Sequence, residues 1–229
     1  FPKGAVHLHH DMIVEADLYA RQTIGLKDSD VCFSVAKLFF AYGLGNGMTF
    51  PLAVGATTVL FPGRPTPDAI FEVLKTHRPT IFYAVPTLFA AMLGAAGGGP
   101  VPGMDRVRLS VSAGEALPEE IGTRWKARHG TDILDGVGST EMLHIFITNR
   151  FEDAAPAATG RPVSGYEAKV VDEAMNEVPR GAVGRLAVRG PTGCRYLADP
   201  ERHMDQGPHR VAILDPRRLS LTRPRDDDG

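Results

Sequence analysis

From Lys3 to about Asn149 the chain alternates short runs rich in β-branched and aromatic residues with longer runs of helical spacing, and this alternation constrains the fold more than any other feature. "VCFSVA" (31–36), "TTVLFPG" (57–63), "PTIFYAV" (79–85), "RVRLSVSAG" (106–114) and "TDILDGVG" (131–138) read as strands that close on Gly or Pro signals. Between them lie 11–25, 66–78, 87–96 and 118–130, of which the last three read as helices. In the stretch 66–78, Ala69, Ile70, Val73, Leu74 and His77 fall on one helical face, with Thr66 or Asp68 as a cap. Strands separated by helices predict an α/β fold with a largely parallel sheet covered on both faces.

After Pro156 the texture changes. Residues 160–190 alternate apolar and polar positions between turn formers, which predicts a small antiparallel sheet or barrel beside the α/β body. The stretch 203–229 has neither period and ends in an acidic run, so it reads as a poorly ordered tail. The chain starts at Phe1 without an initiator methionine, as though it were a piece of a longer one.

The formal net charge is -2, from 25 Lys plus Arg against 27 Asp plus Glu, and no basic surplus suits a nucleic-acid backbone or an anionic membrane. Cys32 and Cys194 lack metal-ligand spacing and are too few for a disulfide framework, which fits a reducing cytoplasm. No apolar run reaches the roughly 18 residues that a membrane span requires.

Three stretches carry candidate chemistry. In "DGVGSTE" (135–141), glycines after a strand let backbone N–H groups approach an anion, Ser139 and Thr140 add hydroxyls, and Glu141 offers a hard oxygen suited to Mg²⁺. The alternative is a plain turn whose glutamate caps the next segment. In "SVSAGEALPEE" (110–120), the peptide planes of Ala113 to Ala116 would lie flat against a base, or simply form a strand-to-helix turn. In "FPKGAVHLHH" (1–10), Lys3 would reach a phosphate as a point charge, while His7, His9 and His10 stand too close together for a usual zinc site and read as solvated or packed. No GxxxxGK[ST] occurs, and Glu141 stands where a dinucleotide fingerprint needs Gly or Ala, so neither a Walker loop nor a Rossmann site is supported.

Together these stretches resemble the adenylate-forming enzymes, the superfamily of acyl-CoA synthetases, luciferases and peptide-synthetase adenylation domains. "FPKGAVHLHH" is similar to the end of that family's phosphate loop, "SAGEALP" to its adenine segment, and "DGVGSTE" to the motif with the magnesium-linked glutamate, in matching order and spacing. "AKLFFAYGLGNGMTFPLAVGATTVLFPGRPTP" and "DGVGSTEMLHIFITNR" look like the aryl-CoA ligases, benzoate-CoA ligases in particular.

The resemblance implies ATP-dependent activation of an aromatic carboxylic acid to an acyl-adenylate and its transfer to coenzyme A. It implies that Glu141 holds Mg²⁺ and that Thr140 and Lys3 touch phosphates. Ser112, Ala113, Gly114, Glu115, Ala116, Asp135, Gly136, Val137, Gly138 and Ser139 would surround the nucleotide. Ala41, Tyr42, Gly43 and Leu44 would line one side of the acid's pocket, and Gly138, His144 and Ile145 the other. Tyr42 and Phe40 also read as core aromatics, and His144 as a satisfied core histidine.

The resemblance covers residues 1–202, a partial AMP-binding domain with its α/β part to about 155 and a β-rich part over 156–202. Residues 203–229 fall outside it and look like another reading frame. The family's Thr-Gly-Asp, whose aspartate binds the ribose hydroxyls, does not occur, and the pattern of the small C-terminal domain, with the lysine that assists adenylation, is missing. Two other expectations therefore stand beside the ligase: a non-catalytic remnant, inactive by itself, and an adenylation activity that loads a carrier protein.

Overall fold

A computed structural model describes residues 4–152, 154 and 158–197, together with the backbone of residues 210–214. Its centre is a seven-stranded sheet in the order β3-β2-β4-β5-β6-β7-β8. The parallel part comprises β2 (Val31–Ser34), β3 (Thr57–Val59), β4 (Ile81–Ala84), β5 (Leu109–Ala113) and β6 (Ile133–Gly138), each within a run predicted from sequence. Two antiparallel strands, β7 (Ile145–Thr148) and β8 (Arg161–Pro162), extend it past β6.

Both faces of the sheet are buried over β2 and β4 to β7, which is why these strands read as continuous apolar runs rather than as alternating ones. On β4, Ile81 and Tyr83 enter one core while Phe82 and Ala84 enter the other. The second core is covered by α4 (Pro67–His77), α5 (Pro86–Ala95) and α6 (Glu119–His129), where Trp125 meets Phe89 edge-on with ring centroids 4.7 Å apart. The buried stripe of α4 is Ile70, Phe71 and Leu74. It is rotated from the predicted face, so that His77 is exposed. Thr66 occupies the cap position of α4 without a side-chain cap hydrogen bond, and Pro67 starts the helix with its φ already set.

The first core lies under a different set of helices. Short β1 (Ala5–Val6) leads into α1 (His9–Glu15), which widens into a π-helical segment, Ala16–Thr23. Residues 41–54, to which the sequence reading assigned no element, form α2 (Ala41–Leu44), a π-helical segment (Gly45–Thr49) and α3 (Phe50–Val54). π-helical turns inside helices recur at functional sites.

The antiparallel region is a three-stranded sheet in which β10 (Arg185–Gly190) lies between β9 (Glu167–Val171) and β12 (Arg210–Leu214), while β11 (Arg195–Tyr196) pairs with β1. Strand β12 falls inside the stretch expected to be a tail. The rest of that stretch, 203–209 and 215–229, lies outside the described residues. Cys32 and Cys194 are both buried, and among the described residues no helix is long and apolar enough to cross a membrane.

Candidate functional site

Strands β5 and β6 run side by side in parallel, so the segments that follow them emerge at the same edge of the sheet. After β5 the chain turns at Gly114, whose φ of +93° favours a residue without a Cβ, and Gly114 to Ala116 are exposed there. After β6 it folds into a tight loop over Ser139 to His144 and returns as β7. This is the edge where open α/β sheets bind ligands.

The loop is held largely by its own groups. The Ser139 N–H donates to the His144 carbonyl (3.3 Å), the Leu143 N–H to the Thr140 carbonyl (3.2 Å) and the Met142 N–H to Ser139 Oγ (3.3 Å). Of these three N–H groups only that of Ser139 belongs to the 135–141 stretch, and it is committed to the loop. The exposed Thr140 is what the loop presents to solvent. The glycines have a packing reason as well. A Cβ on Gly138 would sit 2.3 Å from the His144 carbonyl oxygen, and one on Gly136 2.9 Å from the Ile145 side chain. Glycine at these positions lets β7 fold back closely onto β6.

Most of the residues expected to line the acid's pocket lie beside this loop. Phe40, Ala41, Tyr42, Ala113, Gly114, Gly138, Ser139, Thr140, His144 and Ile145 surround a hollow of about 190 Å³. Tyr42 stands on α2 with its hydroxyl directed at the Val111 carbonyl (3.0 Å) and the Ala84 carbonyl (3.3 Å), so it is both a pocket wall and a brace on the sheet. Gly43 and Leu44 lie on the same helix but do not line the hollow. A Cβ on Gly43 would meet the Lys37 carbonyl oxygen at 2.0 Å, which is a backbone-packing reason for glycine.

His144 closes the hollow. Tyr19, Tyr42 and Phe50 surround its ring with centroids 5.2, 5.6 and 4.6 Å away, and burial pushes its imidazole down to about 3. It is therefore neutral near pH 7. Nε2 must carry the hydrogen, since it lies 3.3 Å from the Tyr42 carbonyl oxygen, which can only accept.

The nucleotide residues are divided between two hollows. Ala113, Gly114, Gly138 and Ser139 line the first, whereas Asp135 lines a second of about 360 Å³ with Leu117, Pro118, Asn149 and Ala154. Burial raises the Asp135 carboxyl to about 7, tempered by the Ser112 hydroxyl and by N–H groups of Leu117 and Gly136. Glu115, Ala116, Gly136 and Val137 line neither hollow.

Glu141 also stands off the first hollow, with its Oε1 accepting from the Tyr196 hydroxyl at 2.5 Å. A carboxylate oxygen at this position is the hard donor type that suits Mg²⁺, which takes one or two protein carboxylates. Among the described residues no group of three or more His, Cys, Asp or Glu could hold a metal alone. Lys3 lies outside the described residues.

Several supporting residues escaped the sequence reading. His7 donates through Nε2 to the Thr140 carbonyl (2.6 Å), while its Nδ1 faces Asp11 Oδ2 (3.1 Å). His7 therefore fastens β1 to the loop. Glu15, Tyr166 and Thr192 are buried behind His144. The spacing of His7, Asp11 and Glu15, four residues apart, was the available signal. Tyr166 and Thr192 come from the antiparallel region and carried no local mark.

Residues 1–196 match the family model described as AMP-binding enzyme. The chain is 55% identical over 203 residues to the benzoate–CoA ligase of Thauera aromatica, an overlap covering 88% of this chain and 38% of the relative. It is 48% identical over 189 residues to a 4-hydroxybenzoate–CoA/benzoate–CoA ligase of Rhodopseudomonas palustris, covering 82% and 35%. Among solved structures, a benzoate CoA ligase from Burkholderia xenovorans LB400 superposes with a TM-score of 0.83 at 52% identity, covering 88% of this chain and 41% of that one. The anthranilate CoA ligase AuaEII in complex with anthranoyl-AMP superposes with a TM-score of 0.85 at 40% identity, covering 92% and 41%. The chain thus spans well under half the length of the relatives it matches.

Proposed function

Because the chain belongs to the AMP-binding enzyme family, we propose that it represents a ligase that activates a benzoate-like aromatic acid with ATP and passes the acyl group to coenzyme A. A carboxylate oxygen attacks the α-phosphorus and the bond to pyrophosphate breaks. The thiol of coenzyme A then attacks the acyl carbon of the adenylate, and AMP leaves. A cytoplasmic setting belongs to the same proposal. So does the division of the chain into an adenylation-domain part, residues 1–202, and a non-family remainder.

The single observation that carries this reading is the shared hollow, with Tyr42 and His144 on one side and Gly114, Ser139 and Thr140 on the other. Its volume of about 190 Å³ is below the roughly 300–1,000 Å³ of drug-sized sites, which suits one aromatic ring with the nucleotide lying across the mouth. The neutral His144 and the Tyr42 ring make a wall without a cation. Such a wall favours the ring of the acid and leaves the carboxylate to face the mouth, toward Thr140. Catalysis by these residues is mainly placement and exclusion of water.

For the nucleotide, the reading assigns Ser112 to Ala116 and Asp135 to Ser139 to the adenosine side, and Thr140 and Lys3 to phosphates. Glu141 would be the protein ligand of Mg²⁺, whose charge neutralises phosphate oxygens when it is bound. The sequence lacks the ribose-binding Thr-Gly-Asp of the family, so we propose that this chain by itself binds ligands without completing the reaction.

Two measurements test the reading. A non-hydrolysable benzoyl-adenylate analogue should raise the melting temperature of the chain more than AMP or benzoate alone, and benzoate-dependent ATP–pyrophosphate exchange should be absent. No response to the analogue would overturn the shared site. Exchange by the chain alone would overturn the statement that it does not complete the reaction.

A further inference from the structure

Behind His144 lies a line of buried oxygens for which the proposed reaction has no use. Glu15, at the end of α1, is 1% exposed, and its Oε2 lies 2.7 Å from Tyr166 Oη. That oxygen is 2.6 Å from Thr192 Oγ1, which is 2.7 Å from the Met142 carbonyl oxygen. Oxygens this close need a hydrogen between each pair. Three contacts therefore need three protons. The hydroxyls of Tyr166 and Thr192 supply two, and the Met142 carbonyl supplies none.

We infer that Glu15 is a neutral carboxylic acid in the folded protein, a positioning residue that ties α1 to the Ser139–His144 loop and keeps the back of the acid pocket free of charge. The protonation follows from counting hydrogens. The role at the pocket rests on the function proposed above. The order of donation is Glu15 to Tyr166, Tyr166 to Thr192, and Thr192 to the Met142 carbonyl. Were Glu15 ionised, both hydroxyls would have to turn toward it, and the Met142 carbonyl in the loop would lose its donor.

The surroundings agree with a neutral acid. Asp11 precedes Glu15 by one turn of α1, Tyr19 follows it by one turn, Tyr166 comes from the segment before β9, and His144 from the loop after β6. None of these is a lysine or arginine, and among the described residues no ion pair joins Glu15 to one. Burial accordingly pushes the Glu15 carboxyl up to about 8. Its second oxygen, Oε1, faces His144 Nδ1 at 3.9 Å. Since Nε2 carries the hydrogen of that ring, Nδ1 presents a lone pair. An anion at Oε1 would oppose that lone pair and, beyond the ring, the negative charge of an acid or acyl-adenylate bound in the hollow.

Glu15→Gln is the decisive variant, because its amide N–H can replace the acid O–H toward Tyr166 while removing the titration. Difference infrared spectra of the chain at pH 6 should show a carboxylic-acid carbonyl band that vanishes in Glu15→Gln, while any band from Asp135 remains in both. A folded state that keeps a proton the unfolded chain releases loses stability as pH rises through that interval. The wild-type melting temperature should therefore fall relative to that of Glu15→Gln between pH 4.5 and about 8, and run parallel outside that window. Affinity for the benzoyl-adenylate analogue should drop about tenfold at one pH unit above the Glu15 pKa, and not in Glu15→Gln.

Absence of a Glu15 band, or melting curves that run parallel at every pH, would overturn the inference. Analogue affinity that falls equally in both proteins would remove the role at the pocket. An analogue that binds neither protein overturns the functional reading alone, and the infrared band still decides the protonation.

Discussion

Two buried carboxyl groups, at opposite ends of the parallel sheet, are handled in opposite ways. Asp30 stands just before β2, at the end away from the hollow, and is 4% exposed. Its oxygens meet Arg108 Nε at 2.9 Å and Nη2 at 2.5 Å, the Thr80 hydroxyl at 2.7 Å and the Lys27 N–H at 2.9 Å. Burial alone would raise this carboxyl, but donors from four directions outweigh it and hold Asp30 below the ordinary aspartate range. Glu15, near the hollow, has the hydroxyl of Tyr166 and, among the described residues, no cation. A charged lock suits an end remote from the hollow, and a neutral acid suits the end where an anionic ligand is proposed.

The largest expected effect breaks the charged end. Arg108→Leu leaves Asp30 buried without its partner. A fully buried pair would lose about 3–5 kcal/mol, but Arg108 is 36% exposed, so about 2–3 kcal/mol is expected in urea unfolding at pH 7. The sign with pH is opposite to that of Glu15. Asp30 has a lowered folded pKa, so its contribution is present above pH 3.8 and is lost as pH falls through the depressed value. The penalty of Arg108→Leu should therefore shrink in acid, and a penalty that stayed constant down to pH 2 would contradict the lock.

Gly138→Ala probes the site end. The new methyl would press on the His144 carbonyl, and overpacking of this kind costs about 1–3 kcal/mol. His144 should shift with the loop, so analogue affinity should fall together with stability. Unchanged affinity would separate Gly138 from the wall of the pocket. The smallest effect is expected from Tyr42→Phe, which removes a hydroxyl bonded to the sheet. A loss of about 1 kcal/mol should appear in the same unfolding assay, with affinity for the analogue largely kept. A large loss of affinity instead would mean that the hydroxyl contacts the ligand rather than the Val111 carbonyl.

The regions also differ in how far they could be read in advance. Strands β2, β4, β5 and β6 bury continuous runs and α4 and α5 bury stripes, so local composition carried their signal. Residues 41–54 did not, because three glycines and a proline within 14 residues disguise a helix that widens in its middle. His144 illustrates the limit at the site. Flanked by Leu143 and Ile145 it looked like a core histidine, and in the structure it is buried among aromatic rings and also walls the hollow. Glu141 lies on the loop after β6, and its contact with Tyr196 joins residues 55 positions apart, which no local pattern could announce.

By itself, the order of residues determined the alternation of strands and helices, the two turns that follow β5 and β6, and the motifs by which the family is known. Short-range periodicity and turn chemistry act over a few neighbours, so they are written locally. Only the tertiary structure decided that Tyr42 and His144 share a hollow, that the glycines of β6 serve close packing, and that Glu15 meets Tyr166 across 151 residues of chain. The ionisation of a buried group depends on its full set of partners in space, and folding brings that set together from distant parts of the chain.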